Sequence, residues 1–354
     1  MIKLSGLRLG YDTGFRLEVD SFEICGGEVL AVIGPNGAGK TTLLNALALL
    51  NPPSSGSLEL LGRDALAPEN KMFLRREMSV VFSRPYLTND TVEKNVALPL
   101  ALRGRGDAAA VDEALELFKI RHLKSRSAKT LSQGEAHRAA LARAFVTKPK
   151  LLLLDEPFAS LDARVKDAIC RDLRKVVKAS NAAVFFVTQD QGDALTLCDT
   201  LAVLVNGRIL QRGEPQELFA RPACAEVADF VGVDTILPGK VASKEDNLCR
   251  VETGCCALEV VSACEPGDSV FVCVRPENVS VSIGAEENSM RNRFKGRVLS
   301  IEPRGLEYRL VLDCGFGLTA AVTKQSVEKL RLEPGRELYA SFKATAAHLI
   351  KRML

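Results

Sequence analysis

Two short stretches of this chain carry residue types suited to chemistry on phosphates. The first is Gly34-Pro35-Asn36-Gly37-Ala38-Gly39-Lys40-Thr41, followed by Thr42. It fits G-x-x-x-x-G-K-[ST] and stands between an apolar strand, residues 29–33, and an apolar helical run. Glycines let the backbone curl so that successive N–H groups aim at phosphate oxygens. The helix that follows turns its positive N-terminal end toward the same place. Lys40 supplies a point charge for the outer phosphates, and the Thr41 hydroxyl is placed to ligate Mg2+. The second stretch is Leu151-Leu152-Leu153-Leu154-Asp155-Glu156. Four leucines bury a strand, and two carboxylates emerge at its C-terminal end, the edge where open α/β sheets bind ligands. Asp155 would hold Mg2+, directly or through water. Glu156 would accept a proton from a water attacking the γ-phosphate.

The elements that must position these groups follow from periodicity. Up to about Val233, short apolar runs at 29–33, 151–154 and 184–188 alternate with helical patterns such as 163–178. Short runs without alternation read as parallel strands buried on both faces, so this half is a doubly wound α/β layer. After about Asp234 the period becomes two, at 269–283, 294–301, 308–312 and 338–342. Turns are marked near Pro303, Gly305, Cys314, Gly317, Pro334 and Gly335. That half is expected to be an all-β module of small barrels, joined through a linker at 220–238. The expected division is therefore 1–233 and 234–354.

Composition narrows the function classes. The 354 residues are 47% apolar and 26% charged, an ordinary globular balance with room for more than one domain. A net charge of +3 gives no electrostatic reason to expect a nucleic-acid partner, and the basic stretch 121–129 reads as a solvated surface. No apolar run approaches the roughly 20 residues that cross a bilayer, and residues 1–10 alternate without a signal-peptide core. The expectation is a cytoplasmic protein whose membrane attachment comes through a partner. Ten cysteines without C-x-x-C spacing, beside three histidines, read as reduced thiols rather than a metal site.

Between the two phosphate stretches lies Leu131-Ser132-Gln133-Gly134-Glu135, which resembles the LSGGQ signature of ABC ATPases. Its place before a helix bearing Arg138 and Arg143 matches that family. So does Ser160-Leu161-Asp162 where the family has its D-loop. The resemblance covers residues 1 to about 230. It implies a P-loop ATPase with a helical subdomain at about 84–135, a head-to-tail homodimer, and ATP with Mg2+ enclosed between the P-loop of one subunit and the signature of the other. Ser132 and the Gly134 N–H would then reach the γ-phosphate in trans, and Tyr11 would stack on adenine. Residues 84–107 would dock on transmembrane permease subunits at the cytoplasmic face of the membrane. Two departures stand out. Ser83 occupies the place of a usual Gln, and Gln189 that of a usual catalytic His. Gln189 still donates a hydrogen bond but carries no charge, so slower hydrolysis is expected. A soluble member acting in translation or DNA repair would carry two cassettes or a long coiled coil, and neither is seen.

The second half carries two further resemblances. Val274-Arg275-Pro276-Glu277-Asn278-Val279 is similar to the RPE segment of the β modules (TOBE, OB-like) of importer ATPases. Residues 289–298 resemble the S-x-R-N-x-F-x-G-x-V opening of molybdate/tungstate-binding β domains, and 341–345 their S-x-K-A-[ST] closing strand. Ser289, Arg291, Asn292, Ser341, Lys343 and Thr345 are the small hydroxyls, amide and cations that a tetrahedral oxyanion requires. The implied system imports molybdate or tungstate, delivered outside the cell by an oxyanion-binding protein. Importers of sulfate, iron, polyamines or sugars, and a weakly hydrolysing oxyanion sensor, are the alternatives.

Overall fold

The computed structural model describes residues 1–10, 14–158, 161, 163–284 and 289–352. They form two compact units, Met1–Leu218 and Phe219–Leu354. Residues 219–233 group with the β unit for a visible reason: Arg275 donates to the carbonyls of Phe219 (2.5 Å) and Val231 (3.3 Å). The Arg of the RPE segment therefore staples the linker.

The strands of the first unit are β1 (Ile2–Gly10), β2 (Arg16–Ile24), β3 (Val29–Ile33), β4 (Ser55–Leu60), β5 (Arg63–Asp64), β6 (Met78–Val81), β7 (Leu151–Asp155), β8 (Ala183–Thr188), β9 (Thr200–Val205) and β10 (Arg208–Gly213). Among the described residues they make one sheet in the order β5-β4-β1-β2-β10-β9-β3-β8-β7-β6. The run β9-β3-β8-β7-β6 is parallel, whereas β1 pairs antiparallel with β2 and β4. The alternation in residues 1–10 thus belongs to an antiparallel wing with one buried face, and the apolar runs to parallel strands buried on both. Leu151, Leu152, Leu153 and Leu154 are fully buried, each contributing about 2 kcal/mol by removal from water.

Helices α1 (Lys40–Leu47), α2 (Pro68–Glu77), α3 (Val92–Ala101), α4 (Ala108–Leu117), α5 (Gln133–Phe145), α6 (Ala163–Ser180) and α7 (Gln191–Leu197) complete this unit. Helices α3 and α4 occupy the expected insert. Its entry loop closes on buried Asn95, whose amide bonds the N–H, hydroxyl and carbonyl of Thr88 and the carbonyl of Thr91. Asp172 on α6 pairs with Lys119 (2.8 Å) and Arg138 (3.3 Å), tying α5 and the end of α4 to the sheet layer.

The second unit begins with α8 (Pro215–Ala220, entered from the first) and α9 (Ala225–Phe230). Its strands are β11 (Thr235–Glu245), β12 (Leu248–Thr253), β13 (Ala257–Val261), β14 (Ser269–Val274), β15 (Ser280–Ser282), β16 (Asn292–Arg304), β17 (Glu307–Asp313), β18 (Gly317–Thr323), β19 (Glu337–Phe342) and β20 (Ala347–Lys351). They form two antiparallel sheets, β13-β12-β11-β14-β20 and β15-β19-β16-β17-β18. Both sheets contribute to one apolar core that runs from Val241 to Leu349. The period-two pattern follows from this, because each strand buries one face and wets the other.

Candidate nucleotide site

Strand β8 lies between β3 and β7 and runs parallel to both, with Ile33 level with Thr188 and Asp155 level with Val187. Parallel strands end on one edge, so the glycine loop after β3, the carboxylates after β7 and the Thr188-Gln189 turn after β8 meet there.

The loop is shaped by contacts that exclude side chains. A Cβ on Gly34 would lie 2.0 Å from the carbonyl oxygen of Leu204. Gly39 caps α1 with φ of 105°, where L side chains are strained. Lys40 folds over the loop and donates to the carbonyls of Gly34 (2.8 Å) and Pro35 (3.0 Å). The Thr41 hydroxyl donates to Asp155 Oδ1 at 3.1 Å. Glu156 leaves β7 in the left-handed region, φ 45°, which for a side chain with a Cβ costs on the order of 1 kcal/mol. Its N–H bonds the Val187 carbonyl (2.9 Å), and its carboxylate receives long bonds from the Thr188 hydroxyl and the Gln189 N–H, both 3.4 Å.

Burial sets the electrostatics. It raises the carboxyls of Asp155 and Glu156 against the opposing pull of Lys40, and it lowers the Lys40 ammonium against the pull of both carboxylates. A carboxylate held by burial and two weak donors is a better proton acceptor than a solvated one. A hydroxyl and a carboxylate in contact are the hard oxygen donors that Mg2+ takes.

Of the expected site residues, the structure brings together Gly34 to Thr42, Asp155, Glu156 and Gln189. Gln189 reaches Glu156 through its backbone, while its side chain is exposed. Ser83 follows β6 at the same edge, half-buried. Ser132 stands apart at the start of α5, in a capping box: its hydroxyl accepts from the Glu135 N–H (3.3 Å), and Glu135 accepts from the Ser132 N–H (2.7 Å). Among the described residues no hydrogen bond joins Ser132 or Gly134 to the glycine loop. Tyr11, Ser160 and Asp162 lie outside the described residues. Two features escaped sequence reasoning. Phe15 packs against the loop, so a Cβ on Gly39 would lie 2.7 Å from its ring. Lys166 pairs with Asp190 (2.6 Å) and with buried Asp193, bracing the turn that carries Gln189. Asp190 spaced three before Asp193 at a helix start was a readable signal for the cap, but not for its cation.

The chain is similar to known proteins along most of its length. The ABC transporter family matches residues 17–159, and the TOBE domain matches 288–349. The chain is 35% identical over 355 aligned residues to the molybdate/tungstate import ATP-binding protein WtpC of Pyrococcus horikoshii, with 99% of each chain covered. This chain belongs to the ABC transporter family. It is an ABC-type ATPase followed by a TOBE-containing β unit. The spermidine/putrescine import ATP-binding protein PotA of Nitrosomonas europaea is 33% identical, over 92% of each chain. Among solved structures, cbiO1 of Clostridium perfringens, part of the ABC transporter complex cbiONQ, is 30% identical with a TM-score of 0.58, covering 66% of this chain and 94% of that one.

The oxyanion candidates of this ABC protein are engaged differently. The Asn292 amide accepts from the Glu259 N–H and donates to the Glu259 carbonyl, both at 2.8 Å, and the residue is buried. Arg291 is exposed and pairs with the Glu259 carboxylate at 3.0 Å. The Ser341 hydroxyl donates to Met290 Sδ at 3.0 Å. Ser289, Lys343 and Thr345 are exposed, and Thr345 lines a separate cavity of about 640 Å3 with Arg275 and His348. Asn292, expected among the ligands, has both its amide oxygen and its amide nitrogen engaged by the backbone of Glu259 on β13.

Proposed function

We propose that this chain is the ATP-hydrolysing subunit of an importer, and that its cargo is molybdate or tungstate. The observation that carries the ATPase chemistry is the meeting of Lys40, Thr41, Asp155 and Glu156 at one sheet edge. The glycine-loop N–H groups and Lys40 would hold the phosphates of ATP, and Thr41 and Asp155 would hold Mg2+. The metal, when bound, would neutralise charge on the phosphate oxygens. Glu156 would accept the proton of the attacking water, with Thr188 and the Gln189 N–H fixing its orientation. The Gln189 side chain would offer a neutral donor in place of a cation.

Ser132 and Gly134 would complete the site of a second copy. This reading is supported by the exposed N-terminus of α5 and by a 25% identical ATP-binding cassette, TM-score 0.55, that is dimeric with ADP and Pi. Membrane attachment would come through permease subunits, contacted by the exposed Phe82, Tyr86 and Leu102 around the insert, at the cytoplasmic face. No described helix is long and apolar enough to cross a membrane. The oxyanion motif at Ser289, Arg291, Asn292, Ser341, Lys343 and Thr345 would act as a sensor, with Arg291 and Asn292 leaving Glu259 to meet the ion.

The 35% identity to the molybdate/tungstate protein supports the oxyanion cargo, and the 33% identity to the spermidine/putrescine protein supports a polyamine. Uptake of radiolabelled molybdate and spermidine by cells lacking this gene separates them. Loss of molybdate uptake alone is expected; loss of spermidine uptake alone overturns the oxyanion reading. Turnover of purified protein with Mg-ATP tests the chemistry, and a rate no higher than that of Glu156→Gln would sink it.

A further inference from the structure

The β12–β13 turn gathers two adjacent thiols around one hydroxyl. Thr253 and Cys256 close the turn: the Thr253 N–H donates to the Cys256 carbonyl (2.9 Å), the Cys256 N–H donates to the Thr253 hydroxyl (3.1 Å), and that hydroxyl donates to the Cys256 carbonyl (2.9 Å). Gly254 and Cys255 form the tip. The same hydroxyl oxygen lies 3.4 Å from Cys255 Sγ and 3.3 Å from Cys256 Sγ. Both sulfurs therefore lie against one oxygen of the same four-residue turn. Cys255 is exposed, and Cys256 is half-buried against the unit's core.

The other thiols contrast with this pair. Burial pushes Cys170, Cys198 and Cys273 up to about 12, which keeps them protonated and inert. Cys249 and Cys264 are also neighbours, since the Cys249 thiol donates to the Cys264 carbonyl at 3.4 Å, but both are buried. Cys314 is half-buried and lies near Cys256, and burial raises it to about 11. Only at the β12–β13 tip does a described thiol pair combine adjacency with access from solvent.

We propose that Cys255 and Cys256 form a dithiol site for trivalent, thiol-seeking species of the arsenous acid class. One ligand bridges both sulfurs. The reaction is condensation without redox change: two S–H bonds and two As–OH bonds break, two As–S bonds form, and two waters leave. With phenylarsine oxide as probe, the As=O oxygen leaves as one water with both thiol protons. The tight turn pre-positions the sulfurs, so the second As–S bond forms within one molecule; such linkage typically strengthens binding by about 10²–10⁴-fold. The exposed thiol captures first and the half-buried one closes the chelate. Closure leaves the backbone bonds of the turn intact, because neither sulfur is required for them.

Intact-mass measurement on reduced, full-length protein with one equivalent of phenylarsine oxide tests this. One adduct is expected, displaced by a small dithiol but not by a monothiol. Peptide mapping after alkylation should find Cys255 and Cys256 protected and the remaining accessible thiols alkylated. Cys255→Ser should weaken retention about 100-fold, whereas Cys249→Ser, Cys264→Ser and Cys314→Ser should leave it unchanged. No adduct, an adduct that survives Cys255→Ser at full strength, or protection of any other pair overturns the proposal. The mapping on unmutated protein decides even if a variant fails to fold.

Discussion

Lys40, Thr41, Asp155 and Glu156 reach a common edge because β3 and β7 are parallel strands flanking β8, and what leaves their C-terminal ends has nowhere else to go. Arg275, Arg291, Asn292 and Ser341 carry comparable chemistry in the β unit, yet each is turned toward its own fold: linker carbonyls, the Glu259 carboxylate, the Glu259 backbone and Met290. Antiparallel strands send their ends both ways, so motif residues fall to local partners. The difference teaches that similar residue inventories become a site only where topology makes them converge.

The sharpest way to break this contrast is to remove its centre. Glu156→Gln should cut ATP turnover by at least about 10²–10³-fold while leaving nucleotide affinity intact, read by phosphate release and by equilibrium binding. A variant with near-normal turnover would move the proton acceptor elsewhere and dissolve the convergence argument. Next in size is the β unit's internal use of Asn292. Asn292→Ala should destabilise that unit by about 2 kcal/mol, because two bonds to Glu259 are lost together. A calorimetric melt should show that unit's transition lowered by several degrees with ATP turnover of the first unit unchanged. An unshifted melt accompanied by lost oxyanion binding would instead assign Asn292 to a ligand.

A smaller effect concerns Gln189. Gln189→His should raise turnover by up to about 10-fold, since an imidazole can carry charge where the amide cannot. No change would mean that the Gln189 backbone N–H, rather than its side chain, is what matters beside Glu156. The smallest effect lies in α5. His137 is fully buried, and among the described residues neither ring nitrogen has a hydrogen-bond partner. Burial lowers its pKa, so the unfolded chain takes the proton first as pH falls. Its contribution to stability is therefore fully present above about pH 6.5 and declines below it, until the folded state also protonates. Chemical unfolding at about pH 7.5 and 5.5 should show a loss about 1 kcal/mol larger for the natural chain than for His137→Leu. Equal losses would mean that His137 finds a partner in solution.

How legible each part was depended on how local its cause is. The glycine loop and the buried strand before Asp155 are written in contiguous residues, and both were readable. Asn292, Glu259 and Met290 are distant in sequence or unremarkable in type, and only strand register joins them. The clamp of Lys119 and Arg138 on Asp172, and the Lys166 pairs with Asp190 and Asp193, were likewise invisible, because surface-type charges announce no partner.

The sequence by itself determined the two fold classes, the phosphate loop with its carboxylate pair, and the family signature, since each depends on backbone periodicity or on a motif within a few residues. Tertiary structure alone decided that Thr188 and the Gln189 N–H hold Glu156, and that Arg275 staples residues 219 and 231 into the β unit. Hydrogen bonds act over about 3 Å in space whatever the separation along the chain, and only the folded backbone sets which groups come that close.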